Sequence, residues 1–310
     1  MATSTIFDGN TRMIEGDLAA QYGVVRCRLD EARVRCPAVL AEALEQVAAY
    51  CNEWQPIDHG WLVDVAAGAA PPQAIEINSR SERASTSQQH TVIVVHAGAR
   101  ASIVDGCSAP AYSGWGERTE AIDVVVLAGA ELDYTLLRNV CGPTSESRTA
   151  SVWLAEGAAI RQTFCTLGSA SEEARLRMTL GSGSSATLQT LVFASVRTVE
   201  LTVDVAGEGS SIAPPVIRLI AKQGGRIRYS GNGETRGLLL DDESRIEAPG
   251  AVGASDATQL TYLRSRGIGA ADAGGMLAAG FARPVLASLP PPHAVEVERV
   301  VALALQESIG

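Results

Sequence analysis

The chain has 310 residues, 46% hydrophobic and 19% charged, which suits a folded protein with a sizeable core and excludes a disordered one. Its net charge of −10 gives nucleic acid no basic stripe, and 5% aromatic content leaves little material for stacking platforms. Lys222 is the only lysine, which removes most lysine-based chemistry, and no apolar run approaches the ~18 residues of a membrane span.

The opening residues, MATSTIFDGNTRMIEGD, lack the basic-then-apolar order of an export signal, so a cytoplasmic location with reduced thiols is expected. The six cysteines (Cys27, Cys36, Cys51, Cys107, Cys141 and Cys165) contain no C-x-x-C pair and read mainly as small buried hydrophobes. Residues 1–35 carry no clear pattern. From Pro37 a helix reads well, with Leu40, Leu44, Val47 and Cys51 on one stripe and proline in its first turn. Two short alternating runs in 60–78, split by Gly-Ala-Ala-Pro-Pro, look like entry into a β region. Residues 79–90, SRSERASTSQQH, read as a polar loop.

Between Thr91 and Leu240 one pattern recurs five times: an alternating apolar run, a turn centred on glycine, and a second alternating run. The turn glycines are Gly98, Gly129, Gly157, Gly183 and Gly209, spaced 31, 28, 26 and 26 residues apart. Apolar residues fall two apart, as in Val124, Val126, Leu132, Tyr134 and Leu136, which is strand periodicity with one face inward. Such turns either close hairpins in a sandwich or bend the chain between the faces of a β-solenoid. The steady period favours the solenoid.

After Leu240 the chain becomes turn-rich, and Asp241, Asp242 and Glu243 read as a solvated turn. Asp256 can cap a helix over ATQLTYLRSR that stops at Gly267. A second helical piece spans 270–282, and after the stop Pro290-Pro291-Pro292 a third places Val297, Val300, Val301 and Ala304 on one face. The expected layout is an N-terminal helical segment (1–56), an all-β core (57–250) and a C-terminal helical region (251–310). The usual nucleotide, zincin and hydrolase motifs are missing, and His59, His90, His96 and His293 are too scattered to suggest a zinc site. Cys107, in VDGCSAP, reads as a thiol held near a bend rather than deep in a rung; thiolates suit iron–sulfur or persulfide chemistry.

Two segments carry a family likeness. TYLRSRGIGAADAGGMLAAGF (261–281) resembles the signature of the SufB/SufD scaffold family of the SUF iron–sulfur assembly system, and VDGCSAP (104–110) is similar to that family's Glu-Gly-Cys-[Ser/Thr]-Ala-Pro segment. EIN (76–78), YTLLRNV (134–140) and LLLDDESRIEA (238–248) add further matches, and the chain's shortness is similar to that of compact, archaeal-type members. The resemblance implies a right-handed parallel β-helix flanked by helical ends. It implies pairing through the late rungs, as a homodimer or with a SufB/SufD relative, and a SufC-like ABC ATPase bound by the C-terminal helices. The docking residues it marks are Tyr262, Leu263, Arg264, Ser265, Arg266 and Gly267.

It also implies a transient iron–sulfur cluster, with Cys107 as metal and sulfur candidate and Cys165 and Asn78 beside it. Several family positions are changed. Glu76 replaces an arginine and Val140 a tryptophan, while Thr235 and Ser244 stand where relatives place cysteines. Ala248-Pro249-Gly250 replaces a His-Glu-Ala loop. The expectation is a diverged, non-enzymatic scaffold subunit. The alternatives are a regulator that binds the ATPase without a cluster and a solenoid carbohydrate enzyme.

Overall fold

The structure, a computed structural model, describes residues 22–50, 59–80, 86–109, 116–140, 144–167, 171–195, 197–207, 209–213, 215–241, 243–249 and 257–306. Cys51, Cys141, Gly250 and the expected cap Asp256 lie outside them. The chain begins with β1 (Val24–Arg28), α1 (Leu29–Arg35) and α2 (Pro37–Tyr50). The body follows as β2 (Gly60–Val65), β3 (Ile75–Arg80), β4 (Ser87–Val95), β5 (Arg100–Ala109), β6 (Gly116–Val126), β7 (Glu131–Val140), β8 (Thr144–Leu154) and β9 (Ala159–Thr166). It continues through β10 (Ser171–Leu180), β11 (Ser185–Ser195), β12 (Thr198–Gly207), β13 (Ser211–Ile212), β14 (Val216–Lys222), β15 (Arg226–Ser230), β16 (Glu234–Leu239) and β17 (Arg245–Glu247). Three helices close the chain: α3 (Ala257–Ser265), α4 (Ala270–Leu286) and α5 (Pro291–Gln306).

The strands form two sheets, ordered β1-β2-β4-β6-β8-β10-β12-β15-β17 and β16-β14-β11-β9-β7-β5-β3, with β13 paired to β11. Every pairing is parallel except the antiparallel contact of β1 with β2. The two strands flanking each glycine turn lie in different sheets, so the turns are bends in a coil and not hairpins. This is a parallel β-solenoid.

Its turns stack. The Gly98 amide donates to the Ala128 carbonyl of the next coil at 3.0 Å, Gly129 to Glu156 at 3.1 Å and Gly157 to Ser182 at 3.0 Å. Gly129 has φ +62, and a Cβ there would meet nothing within 4 Å, so left-handed backbone rather than crowding calls for glycine. A sixth turn of the same kind sits at Gly68, inside the stretch read as an entry region. The loop expected over 79–90 is shorter than that, because β3 runs to Arg80 and β4 starts at Ser87. Their backbone groups pair with the neighbouring coils.

Inward residues of both sheets form one long apolar core, among them Val95, Val126, Leu154 and Leu180 facing Leu132, Ile160 and Leu188. The outer flanks are covered unequally. On the nine-stranded sheet, α1 and α2 bury Leu29, Ala32, Leu40, Ala43 and Val47 against Leu62, Val92, Val94 and Val125. Tyr50 stacks on Trp153 with ring centroids 3.6 Å apart. On the eight-stranded sheet, α4, α5 and Leu289 of their connector set Ala278, Ala282, Val285, Leu289, Val297 and Val301 against Cys165, Leu191, Phe193, Ile220 and Leu238. The tail therefore seats on the side of the solenoid and not on its end.

At roughly 1.5–3 kcal/mol per large apolar side chain buried, this contact explains why α4 continues past Ala282 and through Pro284. Helix α5 starts at Pro291, where a missing N–H breaks no helical hydrogen bond, so the prolines read as a stop also begin the helix.

Candidate functional site in the lumen of the solenoid

Cys107 faces inward. It shares strand parity with Ile103 and Asp105 on β5, and it is 3% exposed. The expectation of a thiol near a bend is thus corrected: β5 continues through Ala109, and the thiol lies inside the coil. In its row Cys107 aligns with Arg138 on β7, which aligns with Thr166 on β9. The facing sheet contributes Arg118 and Glu120 from β6, Glu146 and Arg148 from β8, and Glu172 from β10.

These side chains fill the half of the lumen farthest from the glycine turns with charge. Arg138 Nε and Nη2 donate to both oxygens of Glu120 at 3.2 and 2.7 Å, and its Nη1 donates to Asp105 Oδ1 at 3.1 Å. The Tyr134 hydroxyl donates to Asp105 Oδ2 at 3.1 Å. Arg148 donates to Glu120 Oε2 at 2.8 Å and also to Glu172, and the Thr166 hydroxyl reaches Glu172 at 2.5 Å. Arg118 Nε lies 3.4 Å from Glu146, while its buried Nη1 has no hydrogen-bond partner among the described residues. Pairs such as Arg138–Glu120 and Thr166–Glu172 tie one sheet to the other across the lumen.

The electrostatics follow from this packing. Burial works against ionising Glu120, yet Arg138 and Arg148 outweigh it and hold its carboxyl down at about 2. Asp105 and Glu146 go the other way. Burial pushes both carboxyls up despite Arg138 beside the first and Arg148 beside the second. The Cys107 thiol is pushed up to about 11 by burial, with Arg138 and Arg118 pulling against it. A thiol in this state is a poor nucleophile until the lumen opens or a positive group moves closer.

The other candidates lie elsewhere. Asn78 and Cys165 point outward from the eight-stranded sheet in a single row, Asn78–Gly106–Leu137–Cys165. At ~4.8 Å per coil they sit about 14 Å apart. Asn78 is exposed and lies over Gly106, whereas Cys165 is wholly buried under the C-terminal helices, which push its thiol up to about 12. Cys107 and Cys165 therefore occupy opposite faces of one sheet. Among the described residues no group of three or more His, Cys, Asp or Glu is placed to hold a metal ion.

Thr235 is buried on β16. Ser244 has become part of a turn, its backbone N–H and hydroxyl donating to Asp241 Oδ1 at 2.8 and 2.9 Å. Of the carboxylates read as a solvated turn, Asp241 also accepts from the Glu243 N–H at 3.0 Å, and Asp242 lies outside the described residues. Pro249 is exposed.

Helix α3 carries the remaining candidates, and its described side chains from Thr261 onward are mostly exposed. Tyr262 is 56% exposed with the Arg266 guanidinium 5.3 Å above its ring, and Arg264, Ser265 and Gly267 are exposed too, with Leu263 half-buried. Gly267, at φ +84, ends the helix: its amide donates to Arg264 O, and Ile268 N–H reaches back to Leu263 O.

Together the fold and lumen define a class: a parallel β-solenoid, clad by helices on two flanks, with a thiol enclosed among charges in its bore. The chain belongs to the SufBD family. The family model for the SUF system FeS cluster assembly SufBD core domain matches residues 76–236, from β3 into β16. An iron–sulfur cluster assembly SufBD family protein of Staphylococcus epidermidis is 27% identical over 261 residues, covering 72% of this chain and 54% of the relative. Those of Staphylococcus haemolyticus and Staphylococcus aureus are 26% identical over the same span. The chain spans about half the length of these curated relatives.

Proposed function

We propose that the protein is a scaffold subunit in SUF-type iron–sulfur cluster assembly, docking a SufC-like ABC ATPase through α3 and the start of α4. The observation that carries this reading is the pairing of a family-matched solenoid with a helix whose described side chains are, apart from half-buried Leu263, exposed. Tyr262, Arg264, Ser265 and Arg266 present an exposed, cation-backed aromatic surface on a helix fixed at its end by Gly267. Aromatic and arginine side chains are the usual anchors of protein interfaces. The C-terminal region 251–310 serves docking, and the late strands β16 and β17, at the edges of their sheets, serve pairing with a second scaffold chain.

The cluster is cargo in this scheme. The described residues of one chain do not converge on it, because Cys107 faces the lumen and Cys165 the helices. Ligands from a second chain, or an opened lumen, complete the set. The segregation of the two thiols also favours a second reading: a supporting partner that binds the ATPase while a relative holds the cluster.

Anaerobic co-expression with a SufC-like ATPase tests both. Co-purification of the ATPase, lost in Tyr262→Ala/Arg266→Ala, is expected under either reading. Iron and acid-labile sulfide that vanish in Cys107→Ala support the scaffold, and a metal-free complex supports the partner. Absence of any complex overturns both.

A further inference from the structure

Cys27 and Cys36 lie outside the family-matched region and play no part in the lumen. Cys27 ends the apolar row of β1 and packs among Leu29, Ala32, Leu40, Ala43 and Val47. Cys36 is the single residue between α1 and α2; its amide donates to Ala32 O, and its carbonyl accepts from Leu40 N–H. The two sulfurs are 3.8 Å apart, in van der Waals contact, and both are thiols. Forming a bond of about 2.05 Å between them requires side-chain torsion and a small adjustment at the α1–α2 junction.

We propose that Cys27 and Cys36 are a dithiol modification site, which a hydroperoxide converts to an intramolecular disulfide that clamps the N-terminal helices to β1. The roles divide by accessibility. Cys36 is half-exposed, whereas Cys27 is 8% exposed, with a thiol that burial and the neighbouring Cys36 push up to about 12. Cys36 Sγ attacks the peroxide oxygen as the O–O bond breaks, giving a sulfenic acid and water or an alcohol. Once Cys36 is an uncharged sulfenic acid, its share of the upward push on Cys27 is gone, and Cys27 Sγ, already in contact with it, displaces the sulfenic oxygen, its proton leaving with that oxygen as water. Two thiols are oxidised and one peroxide is reduced.

The result is a ring over residues 27–36 that encloses α1 and ends one residue before α2. Helix α2 covers Leu62, Val92, Val94 and Val125 on the nine-stranded sheet, so closing the ring restrains the cladding of that flank. The dithiol form holds that flank without a covalent tie, by packing such as that of Leu40, Ala43 and Val47.

The test uses the full chain, purified reduced and treated with hydrogen peroxide, followed by alkylation and peptide mapping. Alkylation of Cys27 and Cys36 is expected to fall together, with a linked peptide pair lighter by two hydrogens, reversed by dithiothreitol. The oxidised chain is expected to melt at a higher temperature. In Cys27→Ser, Cys36 is expected to stop at a dimedone-reactive sulfenic acid; in Cys36→Ser no link forms. The wild-type mapping needs no variant to fold. Loss of Cys36 alkylation alone, or a disulfide from either residue to a different cysteine, overturns the proposal.

Discussion

The two halves of the lumen are built by one strand geometry and held by opposite forces. Beside the glycine turns, Val95, Val126, Leu154 and Leu180 exclude water by apolar contact. At the far side, Asp105, Glu120, Arg138, Arg148 and Glu172 are just as buried but stay in place through directed, charge-assisted bonds. An apolar stack tolerates small adjustments, whereas an ionic lattice demands that every partner be present. The charged half is therefore the part of the fold with the sharper failure, and it is the half that holds Cys107.

The largest expected effect comes from removing the hub of that lattice. Arg138→Met leaves Asp105 and Glu120 without their common partner and is expected to cost about 3–5 kcal/mol, read as a lowered denaturation midpoint. Leu154→Ala, in the apolar half, is expected to cost about 3 kcal/mol through lost burial and a residual cavity. If Leu154→Ala costs more than Arg138→Met, the contrast between the halves is broken.

A pH series sharpens it further. Glu120 is held at about 2, below its ordinary 4.5, so its contribution is complete above ~4.5 and lost as the pH falls toward 2. Asp105 and Glu146 are shifted upward, so their contributions are largest in acid and lost as the pH rises through their raised values. Chemical denaturation between neutral pH and pH 2 is expected to show the same acid slope in wild type and Leu154→Ala. In Arg138→Met that slope shrinks, since Glu120 no longer has the guanidinium that resists its protonation.

The apolar half was legible because glycine turns and alternating hydrophobics announce themselves at a fixed period. The ionic half was not read, because the periodicity was followed only through its apolar residues. Its signal was nonetheless present: counting back by twos from Val126 gives Val124, Ile122, Glu120 and Arg118, and from Leu154 gives Val152, Ala150, Arg148 and Glu146. Continuing the parity past the last apolar residue would have placed these charges inside. The family signature led to α3 and Cys107 but not to the thiol's surroundings, because enclosure depends on which strands lie across the lumen. The flank occupied by the C-terminal helices was equally hidden, since periodicity gives the apolar face of a helix but not its partner.

The amides of Gly68, Gly98, Gly129, Gly157 and Gly183 are each bonded to a carbonyl of the neighbouring coil, so the bends register as equivalent modules along the axis. Rod length consequently changes in whole steps of ~4.8 Å per module gained or lost in frame. Kin of differing sizes can then vary the reach between helical cladding and terminal edge like a ruler with fixed graduations, leaving the joints themselves unaltered.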